Sequence, residues 1–383
     1  MRCQETQSGP QMQRPLFVRF LILATTALAS AAHAQRSATL FGLGDLPGGD
    51  FNSIASRVSS DGRAVTGYSL SGGGFPGSFE AFRWTHDEGM IPLGKLDGAI
   101  ESYGNAVSAD GRYVVGSSGG EAFRWADGVG LEALGRLDGW SFANGVSSDG
   151  RVVVGFGRPA GGSEAFRWTP ETGMVGLGFL PGASSSSAAG VTDDGTVIAG
   201  SSGGRIFLWR EETGMVDLGL PPGWKDASAV SLSTTGKAIG GGGSNGQYAI
   251  EAFLWTADGG MRGLGFLSET TKLSYAYGVT SDGRYVVGRS HNGVKEEAFI
   301  WSEEWGMRSL REVLLEHGVD AQAMGWRLME ATSITVVDNT LFIVGTGLSG
   351  TLQQEAWMAH IPIPAPASLA IFALAAATAR YRR

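Results

Sequence analysis

Two tryptophans, Trp140 and Trp224, stand outside the rhythm that governs the other aromatic residues of this chain. An indole held in a loop offers an apolar plate with one polar edge, suited to stacking on a sugar or another flat ligand. They are the candidate binding residues. Catalysis would need acids, bases or nucleophiles at fixed spacing, and no such spacing is present. His86, His291, His317 and His360 are scattered, without a His-x-x-x-His pair. No Gly-x-Ser-x-Gly elbow occurs. Glu101, Asp50 and Asp226 fall in predicted loops, and nothing distinguishes them from solvated acids. Recurrent Asp-Gly pairs offer one carboxylate each. Calcium loops need several donors within a few residues, so these aspartates read as turn-stabilising side chains. Asp193-Asp194 is the one doubled case. The reading therefore names no catalytic residue, no metal ligand and no cofactor.

The element that must position any site is a repeat. Glu80-Ala81-Phe82-Arg83-Trp84 returns in forms ending at Trp125, Trp168, Trp209, Trp255, Trp301 and Trp357. A Ser/Thr-x-Asp-Gly turn and a Val-Val-Gly run lie between copies. The unit is about 45 residues, the length of one propeller blade. Residues 141–180 show it most clearly. Ser141 to Ser147 reads as a first strand of small residues, and Asp149-Gly150 is a hairpin turn. Arg151 to Gly155 is a strand apolar on both faces, as expected between packed sheets. Glu164 to Trp168 is a third strand, and Met174 to Gly178 a fourth ending in Leu-Gly. The motif aromatics are expected to pack between blades.

The last unit has no fourth strand, while Phe41-Gly42-Leu43-Gly44 supplies a spare one at the start. Ring closure needs this exchange and leaves few exposed sheet edges. The expectation is an all-β, seven-bladed propeller of four-stranded blades, closed by an N-terminal strand that completes the last blade. One interruption is a helical spacing at Leu310, Val313, Leu314 and His317 with Gly318 as terminator. It is expected on the loop face, as a lid over the ring closure.

Both ends carry addressing signals. Arg14 and Arg19, the apolar stretch from Phe20 to Ala31 and Ala32-His33-Ala34 have the plan of a secretory signal, with cleavage expected between Ala34 and Gln35. The apolar stretch is shorter than the ~20 residues of a spanning helix. The only cysteine is Cys3, so the exported chain would have no disulfide. A net charge of −8 makes nucleic acid and anionic lipid poor partners.

The tail, with Pro362, Pro364 and Pro366, an apolar run to Leu374, and Arg380, Arg382 and Arg383, resembles the PEP-CTERM sorting signal. Ile363 stands where that signal usually has glutamate. The resemblance implies exosortase-type sorting machinery as a partner, and membrane contact only through this segment. The repeats are similar to those of bacterial extracellular HAF-repeat proteins, through Asp-Gly-Arg-x-Val-Val-Gly and Glu-Ala-Phe-Arg-Trp. That resemblance implies export and no settled reaction. The organisation read is a signal peptide over 1–34, a propeller over 35–360 and a sorting or anchor segment over 361–383. The function read is a secreted or cell-surface, non-enzymatic binding or structural module that presents loops to an extracellular polysaccharide or matrix protein. The alternative is a polysaccharide or ester hydrolase or lyase acting at the channel mouth.

Overall fold

The computed structural model describes residues 37–72, 78–159, 162–244 and 249–364. The expected cleavage point at Ala34-Gln35 and the tail beyond Pro364 lie outside the described residues. The chain forms seven antiparallel sheets of four strands each. Blades 1 to 7 begin with the inner strands Gly48–Val58, Ser102–Val107, Ser141–Val146, Ser186–Val191, Asp226–Leu232, Ser274–Val279 and Arg327–Val337. Blade 7 is completed by the N-terminal strand Thr39–Gly42, which pairs with Gln354–Pro362. The molecule is a seven-bladed β-propeller closed by its own N-terminal strand.

The inner strand of every blade carries a β-bulge, at Ala55/Arg57, Gly104/Ala106, Ala143/Gly145, Ala188/Gly190, Ala229/Ser231, Ala276/Gly278 and Ala331/Ser333. The bulge explains the glycine of the Val-Val-Gly run. A Cβ on Gly155 would overlap the Phe142 carbonyl oxygen, and one on Gly67 the Ile54 carbonyl oxygen. The empty Cβ position is covered by the motif Phe: Gly67 pairs with Phe82 and Gly155 with Phe166. Phe82, Phe123, Phe166, Phe207, Phe253 and Phe299 are fully buried, each stabilising the fold by about 1.5–3 kcal/mol.

The core lies between blades. It divides into seven hydrophobic clusters, and each joins residues of two neighbouring blades. Phe166 and Trp168 of blade 3, for example, pack on Val115 and Ala122 of blade 2. The motif aromatics are therefore core, as expected. The seventh copy differs from the sequence reading. Trp357 pairs with Gly345 and so occupies the register of the Phe, while Ala359 takes that of the Trp. A frame read by the tryptophan alone misplaces this copy, because here the larger ring fills the Phe slot.

Side-chain hydrogen bonds reinforce the interfaces. Ser141 accepts from the Ala122 amide (2.9 Å) and donates to the Gly135 carbonyl (2.7 Å), tying blade 3 to blade 2. Ser53 does the same to Ala356 (3.0 Å) and Gly44 (2.6 Å). The closing interface therefore uses the same bonds as an internal one. The motif Glu also has a task. Glu164 accepts the Gly178 amide at 3.0 Å and Glu251 the Gly265 amide at 3.0 Å, fixing the Leu-Gly pair just past the fourth strand. That pair follows the strand, which spans Gly173–Gly176, instead of ending it.

The Asp-Gly turns are built as expected. Asp149 accepts from the Ser147 hydroxyl (2.6 Å) and the Arg151 amide (3.0 Å), with Gly150 at φ +72°. In blade 7 the turn is Asp338-Asn339, both at positive φ, a conformation these two residues tolerate. The helix spans Leu310–Glu316 in the connection from blade 6 to blade 7. Leu310, Val313 and Leu314 share a cluster with Ala38 and Leu40 of the closing strand and its neighbours, as expected of a lid over the closure. Among the described residues no helix is long and apolar enough to cross a membrane. The last strand reaches Pro362, and the Ile363 amide still donates to the Asn339 carbonyl at 2.8 Å. The first residues of the proline-rich segment thus belong to the sheet.

Four substitutions test this packing. Ser53→Ala leaves the buried Ala356 amide without its acceptor and should cost about 1–3 kcal/mol in denaturant unfolding, the same as Ser141→Ala. Gly155→Ala should cost at least about 1–3 kcal/mol, whereas Gly178→Ala has open space and pays only for its positive φ, about 1 kcal/mol.

Candidate functional site

The two faces of the disc differ. One carries the Asp-Gly turns and the tight turns between third and fourth strands. The other carries the loops between second and third strands and the connections between blades. Nine large apolar side chains are exposed among the described residues, and six lie on this loop face: Ile100, Phe179, Val294, Leu315, Met324 and Leu352.

Aromatic side chains form an arc on the loop face over blades 1 to 3. Tyr68 and Phe79 of blade 1 meet Tyr103 of blade 2, with centroids 5.0 and 5.9 Å from it. In blade 3, Phe142 and Phe156 stack at 5.5 Å and 15°. Trp140 stands edge-on to both, at 5.0 and 5.4 Å, and Arg158 lies over its ring at 5.9 Å. All of these rings are half-buried. Their positions follow from the repeat. Tyr103 and Phe142 occupy the same register, one residue before the bulge, which also holds Tyr275 and Glu330.

Blades 6 and 7 place charge at the same level. Tyr275 and Tyr277 stack at 6.2 Å and 9°, and Arg289 lies over both. Arg289 is paired with Glu296 at 3.1 Å. Burial pushes the Glu330 carboxyl above the usual range, Arg289 opposes the shift and Glu296 adds to it. Burial also raises the Tyr68 hydroxyl, with Glu330 second. Tyr68, Glu330 and Arg289 thus share one electrostatic environment across blades 6, 7 and 1. A carboxyl held toward its protonated form can donate a hydrogen bond or act as a general acid.

Of the sequence candidates, Trp140 belongs to the aromatic arc. Trp224 packs instead on Gly243 and Phe253, its centroid 6.2 Å from the latter. Glu101 accepts from the Tyr103 hydroxyl at 2.8 Å. Asp50 and Asp226 are exposed on blades 1 and 5, with no hydrogen bond linking these three acids. His86 and His360, far apart in sequence, line one crevice of about 710 Å³ between blades 1 and 7 on the turn face. Burial holds His360 below its ordinary pKa. His291 accepts the Gly293 amide, and the His317 ring meets the Val313 carbonyl at the helix end. Among the described residues no group of three metal-ligating side chains occurs.

Glu330, Arg289 and Tyr277 were not singled out from sequence. Glu330 shares its register with Tyr103, Phe142 and Tyr275, Tyr277 is the bulged residue itself and Arg289 lies on the second strand, so their meeting shows only once the bulges align the copies.

No protein-family profile matches the chain, and no curated protein matches it. Solved structures do. TolB from Acinetobacter baumannii is 15% identical with a TM-score of 0.43; the match covers 73% of this chain and 65% of that one, so this chain spans about two thirds of its length. An oligogalacturonate lyase in complex with manganese is 13% identical (TM-score 0.51, 86% of this chain and 94% of that one). A prolyl endopeptidase is 11% identical (TM-score 0.50, 92% and 57%). These similarities concern the fold.

Glu297 anchors the loop face and gives a pH prediction. It is buried, and it accepts from Ser309 (2.6 Å), Asn292 (2.5 Å) and Arg311 (3.2 Å). Burial alone would raise its pKa, but these bonds together lower it. The stabilisation is therefore present above the unfolded-state pKa and is lost as pH falls through the lower folded value. Glu297→Gln should cost about 2 kcal/mol at pH 7 and flatten the acid limb of a plot of melting temperature against pH.

Proposed function

We propose that this protein is an exported, non-enzymatic binding propeller whose loop face holds an extracellular polysaccharide. The observation that carries the reading is the asymmetry of the disc. Half-buried rings and most exposed apolar side chains gather on one face, while the other repeats the same turn chemistry blade after blade. Apolar side chains gathered on one face mark that face as the candidate interaction surface. Rings with polar edges, flanked by Arg158 and Glu101, suit sugar rings, which present apolar faces and hydroxyl rims. Trp140 is the binding residue of this reading. Export is supported by the signal-like plan of residues 1–34, and handling by exosortase-type machinery by the resemblance of the tail to a sorting signal.

Affinity electrophoresis in gels containing alginate, xanthan or dextran tests the reading. At least one polymer should retard the wild-type protein, and Phe156→Ala and Trp140→Ala should each reduce retardation about tenfold while leaving the circular dichroism spectrum unchanged. Absence of retardation by every envelope polysaccharide of the source cell would overturn it.

Glu330 favours a second reading, a hydrolase or lyase at the channel mouth. As a general acid Glu330 would act while protonated, so activity would fall as pH rises through its raised pKa. Release of reducing ends from the retained polymer, lost in Glu330→Gln with binding intact, would establish the enzyme. Binding without release leaves the first reading.

A further inference from the structure

The central channel is lined by inner strands and has two sections. The loop-side section, about 310 Å³, is bordered by Ser56, Asn105, Asn144, Ser187 and Val230. The turn-side section, about 170 Å³, is bordered by residues of all seven blades. Arg57, Asn144 and Ala189 border both sections and so mark the waist.

Arg57 is out of keeping with this lining. It occupies the register just after the bulge, where the other blades have Ala106, Gly145, Gly190, Ser231, Gly278 and Ser333. These are small because blades approach closest here: a Cβ on Gly145 would lie 2.9 Å from the Gly190 Cα. The guanidinium therefore has only the lumen to enter.

Nothing in the lumen neutralises it. Among the described residues the Arg57 side chain makes no hydrogen bond and no ion pair, while its backbone belongs to the strand paired through Thr66. The amide nitrogens of Asn105 and Asn144 are committed to the Ala143 and Ala188 carbonyls at 2.9 Å each. Asp193 is the one carboxylate bordering either section. It forms no ion pair with Arg57, and its pKa is raised by burial and by Asp194, where a nearby cation would lower it. Burial likewise pushes the Arg57 pKa down with no opposing partner. Arg57 is half-buried, so its guanidinium is accessible from the channel yet has no protein counter-charge, and it presents a planar fork matched to a carboxylate.

We propose that the waist of the channel is a binding site for a small carboxylate anion, held by the Arg57 guanidinium among the small and neutral polar side chains of the lumen. The site is separate from the aromatic arc and does not depend on a polysaccharide ligand. The single cation at the waist matches one negative charge, and Asp193 at the turn-side section disfavours a second, so a monoanion is preferred over a phosphate dianion.

The test is thermal unfolding of the exported chain with sodium acetate or sodium phosphate, at constant ionic strength set by a bulky sulfonate buffer. Acetate should raise the wild-type melting temperature saturably, by a few degrees, and phosphate should do so less. Arg57→Met keeps most of the stem and removes the charge. It should melt at or above the anion-free wild type and show no acetate response. Arg57→Lys should respond with a weaker midpoint. Bromide soaked into wild-type crystals should give an anomalous peak beside the guanidinium, a readout independent of whether either variant folds. An acetate response retained in Arg57→Met, no response in the wild type, a stronger response to phosphate, or a channel without a bromide peak would each overturn the proposal.

Discussion

The architecture depends on one close approach. In each blade the inner strand bulges and turns a carbonyl oxygen onto the glycine of the second strand, leaving no room for a Cβ. The flat patch that results is where the third strand lays its buried ring. That ring then meets the neighbouring blade, so bulge, glycine and aromatic form one unit that makes both a sheet and an interface. Hydrophobic burial supplies most of the favourable free energy of folding, and here it is distributed over seven interfaces with no single centre. A disulfide has no place in this scheme, and Cys3 lies outside the described fold.

A ring must also close, and its last interface has to equal the others. The strand Thr39–Gly42 and the bonds of Ser53 to Ala356 and Gly44 make it so. Closure couples residues at opposite ends of the chain, which is entropically expensive and relies on every earlier blade having its proper angle. The helix Leu310–Glu316 adds apolar cover beside this strand, at the place where a ring would open first.

Most of this was legible before coordinates. Asp-Gly spacing, Val-Val-Gly runs and the spare Phe41-Gly42-Leu43-Gly44 segment follow from local rules of turns and strands, and local rules hold in each blade separately. The register of Trp357 was not legible, because pairing with Gly345 decides it and an indole in a phenylalanine slot looks like a motif tryptophan. The aromatic arc was half legible. Trp140 stood out as a departure, but its partners Phe142 and Phe156 sit on regular strands and are joined only by pairing across the hairpin. Trp224 shows the converse: an unusual residue whose ring fills the space above Gly243. Glu330 and Arg57 were invisible because a bulge shifts the alternation of faces by one, so counting along the strand gives the wrong orientation.

Departures from a repeat can be sorted by whether the structure compensates them. Arg205 replaces the motif Glu in blade 4, and Asp217 on the adjacent strand takes over its task and neutralises the replacement: it accepts the Gly219 amide at 2.8 Å and pairs with Arg205 at 2.6 Å. Asp338-Asn339 replaces an Asp-Gly turn, and both residues accept the left-handed conformation it needs. Such changes cancel locally and carry no message about function. Arg57 and Glu330 are not matched in this way: the Arg57 side chain has no ion pair in the lumen, and the half-buried Glu330 carboxyl has Arg289 nearby but no hydrogen-bond donor among the described residues. A charge without a protein counter-charge is a cost borne by the free protein. Both residues stand at the axis or loop side of the disc, where the seven copies stop being equivalent.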